Sequence, residues 1–239
     1  MPGSRAVFAL LLLALVPPAA AQVGHAPHRS PYRDILAGVS LVPQIGFFRG
    51  AGGQIGIAPN SGLLVGARID LLSGRTMTLG LEGAGGTLER LIVDADDPVA
   101  TRVAGPVDQR LTMVGLNLML NLTGSKTWRG LAPYLGSGAG FSIAPRVAAD
   151  TSGFNYGTKF YFAPTAGVRL FLGRSVFLRA EARSVFVQLK YPASYLDEPS
   201  RDPGTGGNSN AVLAGGRLKE WTTNGLYTIG LGIPFPWPF

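Results

Sequence analysis

Cysteine is absent from the 239 residues. That excludes a disulfide framework, a cysteine nucleophile, a thiolate metal site and a lipid anchor on cysteine. Histidine is nearly absent too. His25 and His28 both precede the first patterned segment, which leaves no rigidly held base for a Ser-His-Asp site. Charged residues make up only 15%, against about 25% in ordinary globular proteins, and the mean hydropathy is positive, +0.23. Past the opening segment no run reaches the roughly eighteen uninterrupted apolar residues of a transmembrane helix. The 34 glycines disfavour long helices. The formal net charge of +7 is carried by arginines that fall singly, whereas a nucleic-acid reader clusters them. No nucleic-acid partner is expected, and attraction to an anionic membrane surface is the milder reading.

What is present begins with MPGSRAVFALLLLALVPPAAAQ. Arg5, the apolar run Ala6 to Val16, the prolines and the small Ala19-Ala20-Ala21 site predict a cleaved secretory signal over 1–21 and a leader over 22–33. Beyond them, tight connections alternate with long polar ones. Ser73-Gly74-Arg75, Gly124 to Thr127 and Gly173-Arg174-Ser175 are short. Arg49 to Asn60, Asp94 to Val107, Arg146 to Gly157 and Tyr191 to Lys219 are long. This punctuation predicts eight strands, over 35–48, 61–72, 76–93, 108–122, 130–145, 158–172, 175–190 and 220–235, in one domain over 34–239. Short turns on one side and long loops on the other is the pattern of an all-β, eight-stranded antiparallel up-and-down transmembrane barrel.

Alternation with period 2 marks the strand faces. Leu63, Val65, Ala67, Ile69 and Leu71 oppose Arg68 and Asp70, and Leu178, Ala180 and Ala182 oppose Arg179, Glu181 and Arg183. The polar faces are mostly Gly, Ser, Thr and Asn with isolated charges, which suits a crowded small bore, so the apolar faces are expected to turn outward to lipid. Inside, Arg68, Asp70, Glu82, Arg169, Arg179, Glu181 and Arg183 would form an ion-pair plug, with Asn117 as filler, because buried charges are costly unless paired. Aromatics near the strand ends predict two girdles: Trp128, Phe171, Phe177, Phe235 and Trp237 by the short turns, and Phe47, Phe48, Phe154, Tyr156, Phe160, Phe186, Tyr191 and Trp221 by the long loops.

The chain closes on YTIGLGIPFPWPF. Tyr227, Ile229, Leu231, Ile233, Phe235, Trp237 and Phe239 keep one face apolar to the last residue. With the signal and the eight strands, this resembles the small outer-membrane barrels of the OmpA, OmpX and OmpW kind, in architecture rather than in specific motifs. The resemblance implies a bacterial outer-membrane location, recognition of the terminal segment by the barrel-assembly machinery, and contact with outer-membrane lipid and lipopolysaccharide. Pro234, Pro236 and Pro238 depart from it. They predict that regular pairing stops near Ile233 or Phe235.

No catalytic residue, cofactor or metal is expected. Asp94, Asp96 and Asp97 read as a solvated loop before a cation site, and the glycine stretches Gly136 to Phe141 and Gly50 to Gly56 as a lumen-facing strand and a loop before dinucleotide fingerprints. The leading expectation is a non-enzymatic envelope protein that is structural or presents its loops, above all 191–219, to an extracellular partner. The alternatives are a narrow channel for small hydrophobic molecules and a secreted soluble lipid-binding barrel.

Overall fold

A computed structural model describes residues 30–35, 38–73, 76–173, 176–205 and 207–236. The expected signal over 1–21, most of the leader, the tips of two turns and the terminal Trp237 and Phe239 lie outside the described residues. The strands are β1 (Tyr32–Asp34), β2 (Gly38–Arg49), β3 (Gly62–Ser73), β4 (Met77–Val93), β5 (Val103–Asn121), β6 (Lys126–Trp128), β7 (Leu131–Ala144), β8 (Gly157–Phe171), β9 (Phe177–Lys190) and β10 (Lys219–Pro236).

Eight of these close on themselves. The antiparallel order β7-β5-β4-β3-β2-β10-β9-β8 is completed by pairing of β8 with β7, so every long strand has two neighbours and the ring closes. β1 and β6 form a small ladder beside the short-turn end, with Tyr32 opposite Trp128 and Asp34 opposite Lys126. The sequence pattern missed both; the second turn is longer than its glycine implied, and the end of the expected leader is paired.

Two further boundaries differ. β5 begins at Val103, inside the expected loop, because β4 and β5 continue past an irregularity between Arg90 and Ile92. The proline-rich end of β10 stays paired on one side. Its ladder with β9 ends at Gly232, while that with β2 runs on to Pro236 opposite Gly38. Prolines of one parity withdraw donors from one side only, and one side here has no partner to lose.

The apolar belt faces outward. Ile229 and Val65 are each 64% exposed, and Leu41, Ile45, Ile69, Leu81, Leu116, Leu178 and Leu231 also present their side chains outside. On β3 the belt runs from Leu63 to Leu71, about the length that a tilted strand needs to cross a bilayer. It ends where the outward positions turn polar: Arg49 on β2, Thr87 and Glu89 on β4, Thr112 and Arg110 on β5, Gln188 and Lys190 on β9, Lys219 on β10. The loop-side ends of β4 and β5 therefore rise beyond it.

Candidate functional site

The bore is the site, and it is filled in layers. Nearest the short turns, the Phe171 and Phe177 rings lie 5.1 Å apart, with Phe177 buried. Phe177 was expected in the outer girdle. It falls on the same β9 parity as Arg179, Glu181 and Arg183, and so it points inward. Above it Arg169 stacks between Tyr134 (5.7 Å) and Phe171 (6.0 Å), and its guanidinium donates to Asn121.

The next layer is ionic. Arg68 Nε meets Asp70 Oδ1 at 2.8 Å, and its Nη1 meets Glu181 Oε2 at 3.2 Å. Arg179 reaches Asp70 Oδ2 at 2.6 Å and Glu181 Oε2 at 3.1 Å. Arg183 clasps Glu82, with Nη2 to Oε2 at 2.6 Å, and also contacts Glu181. The Tyr134 hydroxyl donates to Glu181 at 2.6 Å and accepts from Arg179 Nε at 2.7 Å. Three arginines thus face three carboxylates, all buried, with the multiple partners that a buried charge requires.

The seventh expected member, Arg169, is not in this cluster. It makes no ion pair with a carboxylate among the described residues, and its Nε and both polar atoms of the Asn117 side chain have no hydrogen-bond partner there. The expected plug of four arginines is therefore a balanced six-residue cluster and one separate cation. Tyr134 was missed, although it occupies an inward position of β7. Its bulk fits because Gly167 stands under it: a Cβ there would come within 2.3 Å of the Tyr134 hydroxyl.

Above the ions the bore becomes apolar. A cavity of about 10 Å³ beside Gln44, Glu82, Arg183, Leu64, Met113 and Leu226 separates the layers, with room for about one water. Beyond it Leu88, Leu111, Val185, Val187 and Leu189 from the wall pack with Ile57, Phe154, Tyr195 and Leu213 from the long loops. Phe48, Phe154, Tyr156 and Tyr191 belong to this core instead of the girdle expected for them: Phe48 shares the inward parity of Val42 and Gln44 on β2, whereas Phe154 and Tyr156 lie in a loop, where parity gives no side-chain direction.

Polar contacts tie the loops down. Arg90 pairs with Asp150 across the mouth and lies 5.5 Å over Phe154. Tyr195 Oη donates to Val93 O at 2.8 Å, and Gln54 N donates to Glu220 at 2.8 Å. Gly53, at φ +75°, sits so close that a Cβ would meet the Tyr191 hydroxyl at 2.4 Å; only glycine suits that approach. Burial pushes the Asp150 carboxyl up, but hydrogen bonds from Ser152 and Arg90 outweigh it and hold the group below the ordinary carboxylate range. Of the acidic loop residues, Asp97 pairs with Arg201 at 2.5 Å and Asp94 accepts from the Asp96 amide at 3.1 Å. The expected assembly-signal residues Tyr227, Ile229, Leu231, Ile233 and Phe235 all point outward.

No protein-family model matches the chain, and no curated protein sequence matches it. Solved structures do. Neisserial surface protein A is similar at 13% identity and a TM-score of 0.51, over 83% of this chain and 98% of that one. The outer membrane protein OprG from Pseudomonas aeruginosa is similar at 13% identity and a TM-score of 0.51, over 85% and 99%. The chain has the fold of the small eight-stranded outer-membrane β-barrels.

Proposed function

We propose that the chain is a bacterial outer-membrane protein of non-enzymatic, envelope-structural role, whose barrel is sealed and whose loops form an ordered surface platform. The filled bore carries this reading. Phenylalanine, paired ions and an apolar core succeed one another from the short turns to the loops, with room for about one water between the last two. The outward apolar belt supports the membrane location over a soluble lipid-binding barrel, since a water-facing wall of this size is not expected of a soluble monomer. Residues 193–194, 196–198, 200–201, 203, 205, 207–209, 214–215 and 217 of the last long loop are exposed among the described residues and are left to meet an extracellular partner.

Two experiments test the reading. Unboiled protein in detergent should migrate differently from boiled protein, because a closed ladder resists detergent until heated. Protein inserted in planar bilayers should give no conductance steps; steady single-channel conductance overturns the sealed bore. One observation favours the channel reading, the apolar upper bore. Uptake of small hydrophobic molecules into liposomes by the intact protein is the result that supports it instead.

A further inference from the structure

Outward residues at the loop end of β8, β9 and β10 form an ordered stack. Lys219 stands directly opposite Lys190. One step toward the belt, Trp221 stands opposite Gln188, and the register of Tyr161 with Val187 sets Phe160 on the other side of Gln188 and Thr158 beside Lys190. Phe160 in turn meets Phe141 edge to face at 6.2 Å. Thr158, Phe160, Gln188, Lys190, Lys219 and Trp221, with half-buried Lys159, line one hollow of about 430 Å³. Along the strand axis the order is cations, then aromatics that continue through Phe162 and Phe186. A row of small residues with Ser184 and Gly225 follows, and only below Ala182 and Tyr227 comes the aliphatic wall of Ile229, Leu178 and Leu231.

Like charges directly opposite on neighbouring strands are destabilising, and no ion pair among the described residues relieves them. No carboxylate lines the hollow. The nearest acid in sequence, Glu220, has the opposite parity and is held by Tyr191 and Gln54. None of Lys159, Lys190 and Lys219 takes part in an ion pair among the described residues. The rim is also lopsided: on the β4–β5 side the outward positions include Glu89 opposite Asp108, which repels an anion.

We propose that this hollow binds the phosphate-bearing headgroup of an outer-leaflet glycolipid. Lys190 and Lys219 take the phosphate, Trp221 and Phe160 lie at the level of the sugar, and the acyl chains run down the belt below. This rests on the membrane reading above. An amphiphile is indicated because a cation level is followed by an aromatic level and, further down the same face, by the apolar belt, the order in which such a lipid presents phosphate, sugar and chain.

The test uses the full folded protein in detergent micelles, with lipopolysaccharide, its dephosphorylated form, an anionic phospholipid and inorganic phosphate as separate probes. Expected are binding of phosphorylated lipopolysaccharide, at least about tenfold loss of affinity in the Lys190→Gln/Lys219→Gln double variant, weakening by salt, and no loss in Arg110→Gln on the far rim. Equal affinity for the dephosphorylated glycolipid, an unchanged double variant, or binding of phospholipid or free phosphate as tight as that of the glycolipid overturns the site. Each variant is first run unboiled and boiled. A normal heat shift with unchanged binding sinks the site alone, whereas a wild-type chain that shows no shift and stays soluble without detergent sinks the membrane reading beneath it.

Discussion

Arg183 and Glu82, on opposite walls of the bore and 101 residues apart in the chain, are joined by two guanidinium–carboxylate contacts, the longer of them 2.6 Å. Glu181, two residues before Arg183, contacts the same guanidinium. Strand parity puts both β9 residues inside, and barrel closure brings Glu82 to them.

Glu181 is the most connected acid of the cluster, touching Arg68, Arg179, Arg183 and Tyr134. Glu181→Leu leaves three buried arginines against two carboxylates and is expected to cost roughly 3–5 kcal/mol. Urea unfolding in detergent, followed by loss of the unboiled gel form, reads this directly. An unchanged midpoint counts against the cluster as a structural element.

Arg169 should behave in the opposite way. It lacks a carboxylate partner among the described residues, so Arg169→Met removes an uncompensated buried charge and keeps the apolar contacts with Tyr134 and Phe171. Its unfolding midpoint is expected to match or exceed that of the wild type, while Arg183→Met, assayed beside it, falls. A larger loss at Arg169 than at Arg183 contradicts this division of roles.

The strand count and the faces were legible because alternation persists wherever a strand has unlike sides, as on β10 from Tyr227 to Phe235. Six of the seven interior charges could be grouped from parity alone. Parity could not separate Arg169, because who neighbours whom across the bore depends on the stagger of the closed barrel. The cap was not legible: Asp150, Phe154 and Tyr195 sit in loops, where no period predicts direction, and Arg90 gives no hint of a partner 60 residues away.

Because the folded Asp150 carboxyl lies below its unfolded value of about 3.9, its pairing contributes stability above that value and loses it as pH falls through the folded one. Asp150→Asn is therefore expected to unfold more readily than wild type near neutrality. The two should converge as pH is lowered below about 4. Thermal unfolding in detergent at stepped pH checks this, and a difference that stays constant down to low pH excludes the ion pair as its source.

Tyr195 anchors the last long loop in the apolar core. Tyr195→Ala is expected to cost about 3 kcal/mol of local stability and to raise amide exchange across 193–213, with the heat shift of the barrel unchanged. Exchange that does not rise means the loop is held by its exposed contacts instead.

Orientation is tested most directly by spin labels, and the absence of cysteine makes single-cysteine variants clean. Labels at Ile229 and Leu178 in lipid bilayers should show high oxygen accessibility, and labels at Thr228 and Gly230 should be shielded from it. The reverse, with Thr228 and Gly230 open to the hydrocarbon and Ile229 and Leu178 shielded, would contradict a barrel that encloses its charges and turns its apolar face to lipid.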